Sequence, residues 1–373
     1  MNTNIKDLRK DENTTIESSG FSIHTITLRC PFTNMERTLV KDKICMYCNT
    51  NRVKYYKENI GNNVYWNFDL RNELCINRVN IWDLYSEGIL VKSGLDITIN
   101  PRHFYHKDDH PFTYIADQND LDSILIFLDI LIKTLEIPLD TYMFQVHRID
   151  FCANLELESR DKVENYMRIM RKGAYVYNGK RKVEYSKTQK KMVPTKHSFT
   201  IYGKSFEFAI YDKYKQMKST NNLLYSDDLE SGLTQIRFEL RVKRSKEKLL
   251  EEKYRLYTIE NVIKSIKEIS EIELTKFIIK AFGRGTFVKY DIAKNTIKQS
   301  NNHSKTKEKM IFFMKIASKN NLEIAKLYFN SDYKKILKKF DYLGISPITL
   351  PSRSKDCLLY NPVQYLQGVN KCK

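Results

Sequence analysis

Three stretches of the chain alternate between apolar and polar residues, and they constrain the fold more than any other feature. They are FQVHRIDFCANLEL (144–157), SFEFAIYDK (205–213) and TQIRFELRVK (234–243). A period of two residues is typical of β-strands, because successive side chains point to opposite faces of a sheet. Each stretch therefore predicts a strand with one apolar face toward a core and one polar face.

Helical periodicity alternates with these strands and then follows them. LDSILIFLDILIKTLEI (121–137) repeats apolar residues at helical spacing, and SRDKVENYMRIMRKG (159–173) has Ser159 as a helix N-cap. An earlier alternating stretch, GILVKSGLDITINP (88–101), precedes both helices. The order β, α, β, α, β, β, β predicts an α+β fold. We expect a largely antiparallel sheet with helices on one face, followed by a helical C-terminal domain.

The chain is long enough for more than one domain. It has 373 residues, which exceeds the usual size of a single hydrophobic core. Residues 1–20 are polar and predict a mobile tail, whereas residues 21–84 hold four cysteines and short alternating runs typical of a small β-rich segment. Residues 85–250 would form the sheet domain and residues 251–373 the helical domain.

The charge balance favours a polyanionic partner. The chain has 63 Lys and Arg against 45 Asp and Glu, a net charge of +18. Nucleic acid is the commonest polyanion, although an anionic membrane surface fits the charge alone. No apolar run approaches the length of a membrane span, and the first residues lack the apolar segment of a secretory signal. These features, with irregularly spaced cysteines, predict a cytoplasmic protein without a membrane partner.

The polar faces of the three strands carry the residue types of phosphodiester chemistry. A phenol can attack phosphorus, carboxylates can hold a divalent cation, and arginines or lysines can balance the charge that develops. The solvent-facing side of a half-covered sheet gives the same alternation without chemistry, and periodicity alone favours that simpler interpretation. The residues on these faces include Arg148, Asp150, Asn154, Tyr211, Lys213, Arg237, Glu239 and Arg241.

Motif order gives these residues a further meaning. R-x-D at 148–150, Y-x-K at 211–213 after SFTIYG, and R-x-E-x-R at 237–241 follow one another in the chain. This order resembles that of the rolling-circle replication initiators of filamentous phages and small bacterial plasmids. DITINPRHFYHKDD (96–109) and NSDYKKILKKFDYLGISPI (330–348) resemble further elements of those proteins. The resemblance covers about residues 90–345.

The resemblance implies an endonuclease that nicks one DNA strand at an origin and stays attached through a 5′-phosphotyrosine. It implies Tyr211 as nucleophile, Lys213 as its neighbouring cation, and Asp150 and Glu239 as ligands of Mg²⁺ or Mn²⁺. Its partner would be origin DNA, single-stranded and duplex, and a host helicase stays open as a further partner. The residues expected to contact DNA are Arg148, Asn154, Arg237, Arg241, Lys180, Arg181, Lys182 and Lys204.

The sequence leaves several alternatives open. Tyr202 and Tyr214 are rival nucleophiles, and a non-catalytic DNA-binding or replication-control protein of the same fold is the alternative function. A tyrosine recombinase would need an Arg…His-x-x-Arg…Tyr order that the sequence lacks. The His-hydrophobic-His metal motif of many relatives is also missing, because His103 and His106 are three residues apart. His147 or His197 would be the histidines available to a metal.

Three further features permit both a functional and a plain structural interpretation. Residues 171–204 hold ten Lys or Arg against one acid, with interleaved tyrosines, so they fit either a loop that grips single-stranded DNA or a solvated insertion. Cys30, Cys45 and Cys48 could hold structural Zn²⁺ with His24 or Cys75, but buried or free thiols are the favoured interpretation. The C-terminal helices fit a helix-turn-helix with phosphate-facing lysines or a solvated bundle equally well. Those lysines are Lys334, Lys335, Lys338 and Lys339.

Overall fold

The computed structural model of the chain describes residues 20–70, 78–101, 115–174, 176, 179–186, 191–194, 198–220, 229–230 and 232–366. The chain divides into two compact units. The first holds Ser22–Phe151 and Arg241–Ser270, and the second holds Ser19–Phe21, Cys152–Leu240 and Glu271–Lys373, apart from a short N-terminal piece outside the described residues. The predicted tail, residues 1–20, lies outside the described residues except for Gly20.

The first unit is built on antiparallel strands. In chain order its elements are β1 (Phe21–Phe32), α1 (Asn34–Thr50), β2 (Tyr55–Ile60), β3 (Asn63–Phe68), β4 (Arg78–Ser86), β5 (Ile89–Ile99), α2 (Gln118–Thr134) and the first part of β6 (Gln145–Glu156). The strand order is β2-β3-β4-β5-β1-β6. The β1–β5, β2–β3, β3–β4 and β4–β5 pairs are antiparallel.

Helix α1 departs from the β-rich character that the sequence predicts for residues 21–84. It begins at a capping box in which the Thr33 side chain accepts from the Glu36 backbone N–H and the Glu36 carboxylate accepts from the Thr33 backbone N–H. Such reciprocal bonds satisfy two donors that a helix start leaves open. The Thr-x-x-Glu spacing in the sequence was the signal that could have predicted this helix.

The second unit contains the other alternating strands. After the end of β6 come α3 (Arg160–Met170), β7 (Lys180–Arg181), β8 (Val183–Ser186), β9 (Lys191–Pro194), β10 (Ser198–Tyr202), β11 (Phe206–Asp212), α4 (Lys213–Thr220) and β12 (Gln235–Val242). The strand order is β6-β12-β11-β10-β7, while β8 and β9 form a separate hairpin. β10 pairs antiparallel with both β11 and β7.

The remainder of the described chain is mainly helical, as its periodicity predicts. It comprises α5 (Arg244–Tyr254), α6 (Ile259–Phe282), β13 (Phe287–Val288), α7 (Tyr290–Gln299), α8 (Ser304–Lys319), α9 (Leu322–Phe329), α10 (Tyr333–Tyr342), β14 (Leu358–Leu359) and α11 (Pro362–Leu366). Of these, α5 and the first half of α6 belong to the first unit. Within the described ranges, no helix is long and apolar enough to cross a membrane.

Aromatic packing fixes which face of the second unit's strands is covered. The Phe277 ring on α6 lies 5.1 Å from the Phe206 ring and 5.4 Å from the Phe208 ring of β11. The Phe282 ring lies 5.3 Å from the Phe199 ring of β10. The apolar faces of these strands therefore pack on a helix, which leaves the opposite faces for polar residues. The α+β class with a large antiparallel sheet is confirmed.

Candidate active site

Tyr211 is the next-to-last residue of β11, and β11 lies next to β12 in the sheet. Its side chain is 9% exposed, and its hydroxyl donates a hydrogen bond to the carboxylate of Glu239 on β12. Cross-strand neighbours on one face of a sheet place their side chains in contact, which explains why residues 28 positions apart meet here. A phenol and a carboxylate are thus held as a hydrogen-bonded pair.

Arg237 lies beside this pair and is almost fully buried. It is 1% exposed and stands two residues before Glu239 on the same strand face. Its Nε donates to Asn154 Oδ1 of β6 at 2.8 Å, and its guanidinium reaches the Tyr211 hydroxyl for a hydrogen bond. A buried arginine from the adjacent strand therefore supplies a cation directly to the phenol.

The electrostatics of this cluster keep Tyr211 protonated at neutral pH. Burial raises the pKa of the Tyr211 phenol well above its ordinary value of 10, and the negative charge of Glu239 raises it further. Arg237 acts in the opposite direction and lowers the pKa of Tyr211. A neutral phenol is a weak nucleophile, so attack requires a group that accepts its proton. Glu239 already accepts that hydrogen bond.

Polar contacts continue from Arg237 along β6 and β12. Asn154 Nδ2 donates to Gln235 Oε1 at 3.3 Å, and Gln235 Nε2 donates to Glu156 Oε2 at 2.7 Å. Asn154 is 4% exposed and Gln235 is similarly buried. Buried amides with satisfied hydrogen bonds fix one another's orientation, so this row supports the position of Arg237. Asn154 and Arg237, expected to contact DNA, both lie inside the protein.

Lys213 does not lie on the strand, contrary to the sequence prediction. β11 ends at Asp212, whose carboxylate accepts from the Lys215 backbone N–H at 3.1 Å, and Lys213 begins α4. The strand alternation stops at this helix start, so Lys213 does not share a pleat face with Tyr211. Its buried ammonium donates to Gln216 Oε1 at 3.1 Å and lies 6.0 Å from the centroid of the Tyr211 ring.

The helix start after Tyr211 is anchored by an arginine that the sequence did not single out. Arg160 on α3 forms a bidentate ion pair with Asp212, with Nη1 at 2.8 Å from Oδ1. Asp212 is 1% exposed, so this pair is largely buried. The same guanidinium lies 5.3 Å from the centroid of the Tyr214 ring. Tyr214 therefore stacks against an arginine on α3, and the rival Tyr202 lies exposed on β10.

Asp150, on β6 in the first unit, is 2% exposed and already carries several partners. Its carboxylate accepts from Arg148 Nε at 2.8 Å, from Arg241 Nε at 3.4 Å and from the Thr25 hydroxyl at 2.7 Å. Burial opposes its ionisation, but the arginines and Thr25 hold the pKa of Asp150 below its ordinary value. Two arginines expected to face phosphate thus pair with a residue expected to bind metal. The metal role of Asp150 and its placement beside Tyr211 stay predictions.

The described residues do not offer a ready divalent-metal site. Within the described ranges, no three His, Cys, Asp or Glu side chains are arranged to hold an ion. Asp150 is engaged by arginines and Glu239 by a phenol, so both carboxylates already have partners within the protein. His103, His106 and His197 lie outside the described residues.

The three cysteines predicted as weak zinc ligands are present as thiols. Cys30 and Cys48 are buried and Cys45 is half-buried, and all three are free of disulfides. Burial raises the pKa of Cys30 to about 11, with Glu36 adding to the shift, which opposes the thiolate form that zinc requires. Cys75 lies outside the described residues. A structural zinc site stays a prediction.

Among its described residues, the basic loop of residues 171–204 includes both exposed lysines and a structural arginine. Lys180, Lys182 and Lys204 are exposed and can meet DNA. Arg181 instead donates from Nη1 to the Arg171 carbonyl at 2.8 Å and lies 5.2 Å from the centroid of the Phe199 ring. Of the interleaved tyrosines, Tyr175 and Tyr177 and the side chain of Tyr185 lie outside the described residues.

Comparison with known proteins identifies the segment that carries this site. Residues 120–273 match the profile of a family described as the N-terminal region of a phage replication-associated protein. A search of curated proteins finds no match. The chain is similar to the solved rolling circle replication initiator protein from Geobacillus stearothermophilus. The alignment covers 89% of this chain and 98% of that one, with 8% identity and a TM-score of 0.32.

The family match includes all the residues of the Tyr211 cluster. Asn154, Tyr211, Arg237 and Glu239 fall between residues 120 and 273, as does Asp150. Residues 120–273 of the chain therefore match this family of phage replication-associated proteins, which confirms the resemblance to phage replication initiators that the order of its motifs carries.

Proposed function

We propose that the protein initiates rolling-circle DNA replication by nicking one strand of origin DNA and retaining the 5′ end on Tyr211. The observation that carries this proposal is the hydrogen bond from the Tyr211 hydroxyl to Glu239, within the segment that matches a replication-associated family. The net charge of +18 suits a DNA substrate. Tyr202 and Tyr214 lack this support: one lies exposed on β10 and the other stacks on Arg160.

The proposed reaction is a transesterification, in which a phosphate ester to the 3′ oxygen is replaced by a phosphate ester to Tyr211. Glu239 accepts the Tyr211 proton as the phenol oxygen attacks phosphorus. An O–P bond to tyrosine forms and the bond from phosphorus to the 3′ oxygen breaks. That oxygen leaves as a hydroxyl after taking a proton from water, and Glu239 releases the proton that it accepted from Tyr211 to water. The reverse attack by a 3′ hydroxyl rejoins the strand and returns the proton to Tyr211. No external energy source is needed, because one phosphate ester replaces another.

A divalent ion, Mg²⁺ or Mn²⁺, is part of the proposal on the strength of the resemblance. When bound, such an ion would polarise the scissile phosphate. The donors among the described residues do not form its ligand set, so the steps above use the chain's own residues. Adduct formation with and without EDTA, then with added Mn²⁺, tests this part of the proposal on its own.

The proposed partners follow from the reaction. Single-stranded and duplex origin DNA would be bound in the cytoplasm, with exposed Lys180, Lys182 and Lys204 as phosphate contacts. A host helicase is the further partner that strand separation would require. The alternative, a replication-control protein that binds the origin without cutting it, shares the charge but needs no hydrogen-bonded tyrosine.

A covalent-adduct assay separates these two functions. The protein is incubated with labelled single-stranded oligonucleotides that tile the origin region, in the presence of Mn²⁺, and resolved on a denaturing gel. We expect a shifted band that is lost in Tyr211→Phe and kept in the matched controls Tyr202→Phe and Tyr214→Phe. A band that persists in Tyr211→Phe contradicts the nucleophile assignment. Sequence-specific binding without any band favours the control protein.

A further inference from the structure

The least expected side chain in the second unit is Arg237. Arginine is rarely buried in proteins unless it is paired, because removal of its charge from water is costly. Arg237 is 1% exposed and is among the largest fully buried side chains in the described chain. A buried charge of this kind needs a reason in its surroundings.

The surroundings of Arg237 supply that reason. Its Nε donates to Asn154 Oδ1 at 2.8 Å, which fixes one edge of the planar guanidinium. Another part of the guanidinium reaches the Tyr211 hydroxyl, and the charge of Glu239 acts on it as well. The guanidinium is therefore held between a neutral amide on β6 and the phenol–carboxylate pair of β11 and β12.

This placement separates Arg237 from the cations that can meet DNA. A phosphate contact requires an accessible guanidinium or ammonium, and Lys180, Lys182 and Lys204 are exposed. Arg237 would have to leave Asn154 and Tyr211 to reach a phosphate. Its side chain is committed to the interior of the site.

We propose that Arg237 is a positioning residue that holds Tyr211 and Glu239 together and balances their shared negative charge, instead of a contact to DNA phosphate. The inference rests on the proposed function. Before proton transfer the negative charge is on Glu239, and afterwards it is on the Tyr211 oxygen. In both states the trio with Arg237 has a net charge of zero. The transfer then moves charge across one hydrogen bond beside a fixed cation, which is the type of preorganisation that lowers reaction barriers.

The test compares DNA binding with adduct formation in Arg237→Gln, Arg237→Lys and wild type. We expect Arg237→Gln to lower the single-turnover adduct rate at saturating DNA by about 10²–10³-fold. The DNA affinity and its salt dependence should stay within about twofold, because no phosphate contact is lost. Arg237→Lys should react at least about tenfold faster than Arg237→Gln, since lysine restores the positive charge but not the planar guanidinium. Arg29→Gln, which breaks an arginine–aspartate pair in the first unit, is the matched control and should keep the wild-type rate.

Asn154→Ala is a second variant, used if Arg237→Gln fails to fold by circular dichroism and urea titration. It removes the acceptor of Arg237 Nε and should slow adduct formation by about tenfold at unchanged DNA affinity. An unchanged rate in the folded Arg237→Gln or in Asn154→Ala overturns the proposal. So does a fall in affinity with a salt slope reduced by about one, the sign of a lost phosphate contact. If wild type forms no adduct, or if the adduct survives Tyr211→Phe, the proposed function fails and this inference fails with it.

Discussion

Two carboxylates with the same predicted role, Asp150 in the first unit and Glu239 in the second, have different surroundings. Asp150 is met by the guanidinium groups of Arg148 and Arg241, whose side chains are 35% and 36% exposed. Glu239 is met by the hydroxyl of Tyr211 and by the charge of buried Arg237. The first carboxylate is balanced by partly solvated cations. The second shares its environment with a group that can give up a proton.

A polar strand face shows which residues are available for chemistry, but not which of them take part in it. Alternation in the sequence placed both carboxylates on polar faces, so it predicted a chemical role for each of them equally. Their partners make the difference, because a carboxylate saturated by arginines mainly holds structure, whereas one bonded to a phenol can act as a base.

Glu239→Gln should be the most damaging change to the reaction. The amide keeps the size of the side chain but cannot accept the Tyr211 proton, so we expect the single-turnover adduct rate to fall by about 10²–10⁴-fold. The free energy of unfolding should also fall, because buried Arg237 loses the negative charge that balances it. Adduct kinetics and urea denaturation, measured on the same preparation, check both parts. A rate within about threefold of wild type would rule out Glu239 as the base.

Asp150→Asn should affect the free energy of unfolding more than it affects proton transfer from Tyr211. The buried carboxylate loses its charge while Arg148 and Arg241 keep theirs. Both arginines are partly solvated, so we expect a loss of about 1–3 kcal/mol in the free energy of unfolding. Urea denaturation at neutral pH measures it. Unchanged stability with complete loss of the adduct would instead support Asp150 as a metal ligand.

Acid should remove the stability difference between wild type and Asp150→Asn. The pKa of Asp150 is lower in the folded protein than its ordinary value of 3.8, so its ion pairs stabilise the fold above about pH 4. That stabilisation is lost as the pH falls through the folded-state pKa. The difference in unfolding free energy should therefore shrink toward the lowest pH at which both proteins remain folded. A difference that is constant with pH would contradict an ionised Asp150.

Lys213→Met should have a smaller effect on the reaction than Glu239→Gln. The ammonium lies 6.0 Å from the centroid of the Tyr211 ring, and a cation at that range contributes about 1 kcal/mol, or roughly fivefold in rate. The matched control is Lys218→Met, which removes an exposed ammonium 5.8 Å from the Tyr214 ring on the same helix. Equal rates for the two variants would show that Lys213 does not act on Tyr211.

Lys182→Gln should have the smallest effect, confined to DNA binding. An exposed lysine that contacts one phosphate should change the slope of log affinity against log salt by about one when removed. Arg181→Gln is the informative neighbour, because Arg181 bonds the Arg171 carbonyl and stacks near Phe199. We expect Arg181→Gln to lower the free energy of unfolding and to leave the slope of log affinity against log salt unchanged. Fluorescence anisotropy across a salt series measures both variants.

The sequence predicted the strands around the site because their signal is local. Alternation with a period of two residues correctly predicted β6, β11 and β12, and placed Tyr211 and Glu239 on polar faces. Strand end points were less predictable. Lys213 continues the alternation in the sequence, but Asp212, fixed by Arg160 from α3, ends the strand and starts a helix. That contact joins residues 52 positions apart, so no local sequence pattern predicts it.

The interior of the site depended on contacts that a single sequence does not display. Arg237 occupies a polar-face position that would suit a phosphate contact equally well. Its burial follows from Asn154, 83 residues earlier, and from Tyr211 on the adjacent strand. The two arginines of Asp150 were likewise assigned to DNA because nothing local shows their ion pairs. By contrast, the Thr33–Glu36 capping box was readable in the sequence and would have predicted α1.

Identification of the residue attached to DNA shows directly whether Tyr211 forms the covalent bond. The protein is allowed to react with a single-stranded origin oligonucleotide and Mn²⁺. The adduct is then digested with nuclease and protease and sequenced by tandem mass spectrometry. We predict a nucleotide remnant, linked through its 5′ phosphate, on the tyrosine of the peptide that contains AIYDK. A remnant on Tyr202, Tyr214 or any other residue would show that Tyr211 is not the nucleophile.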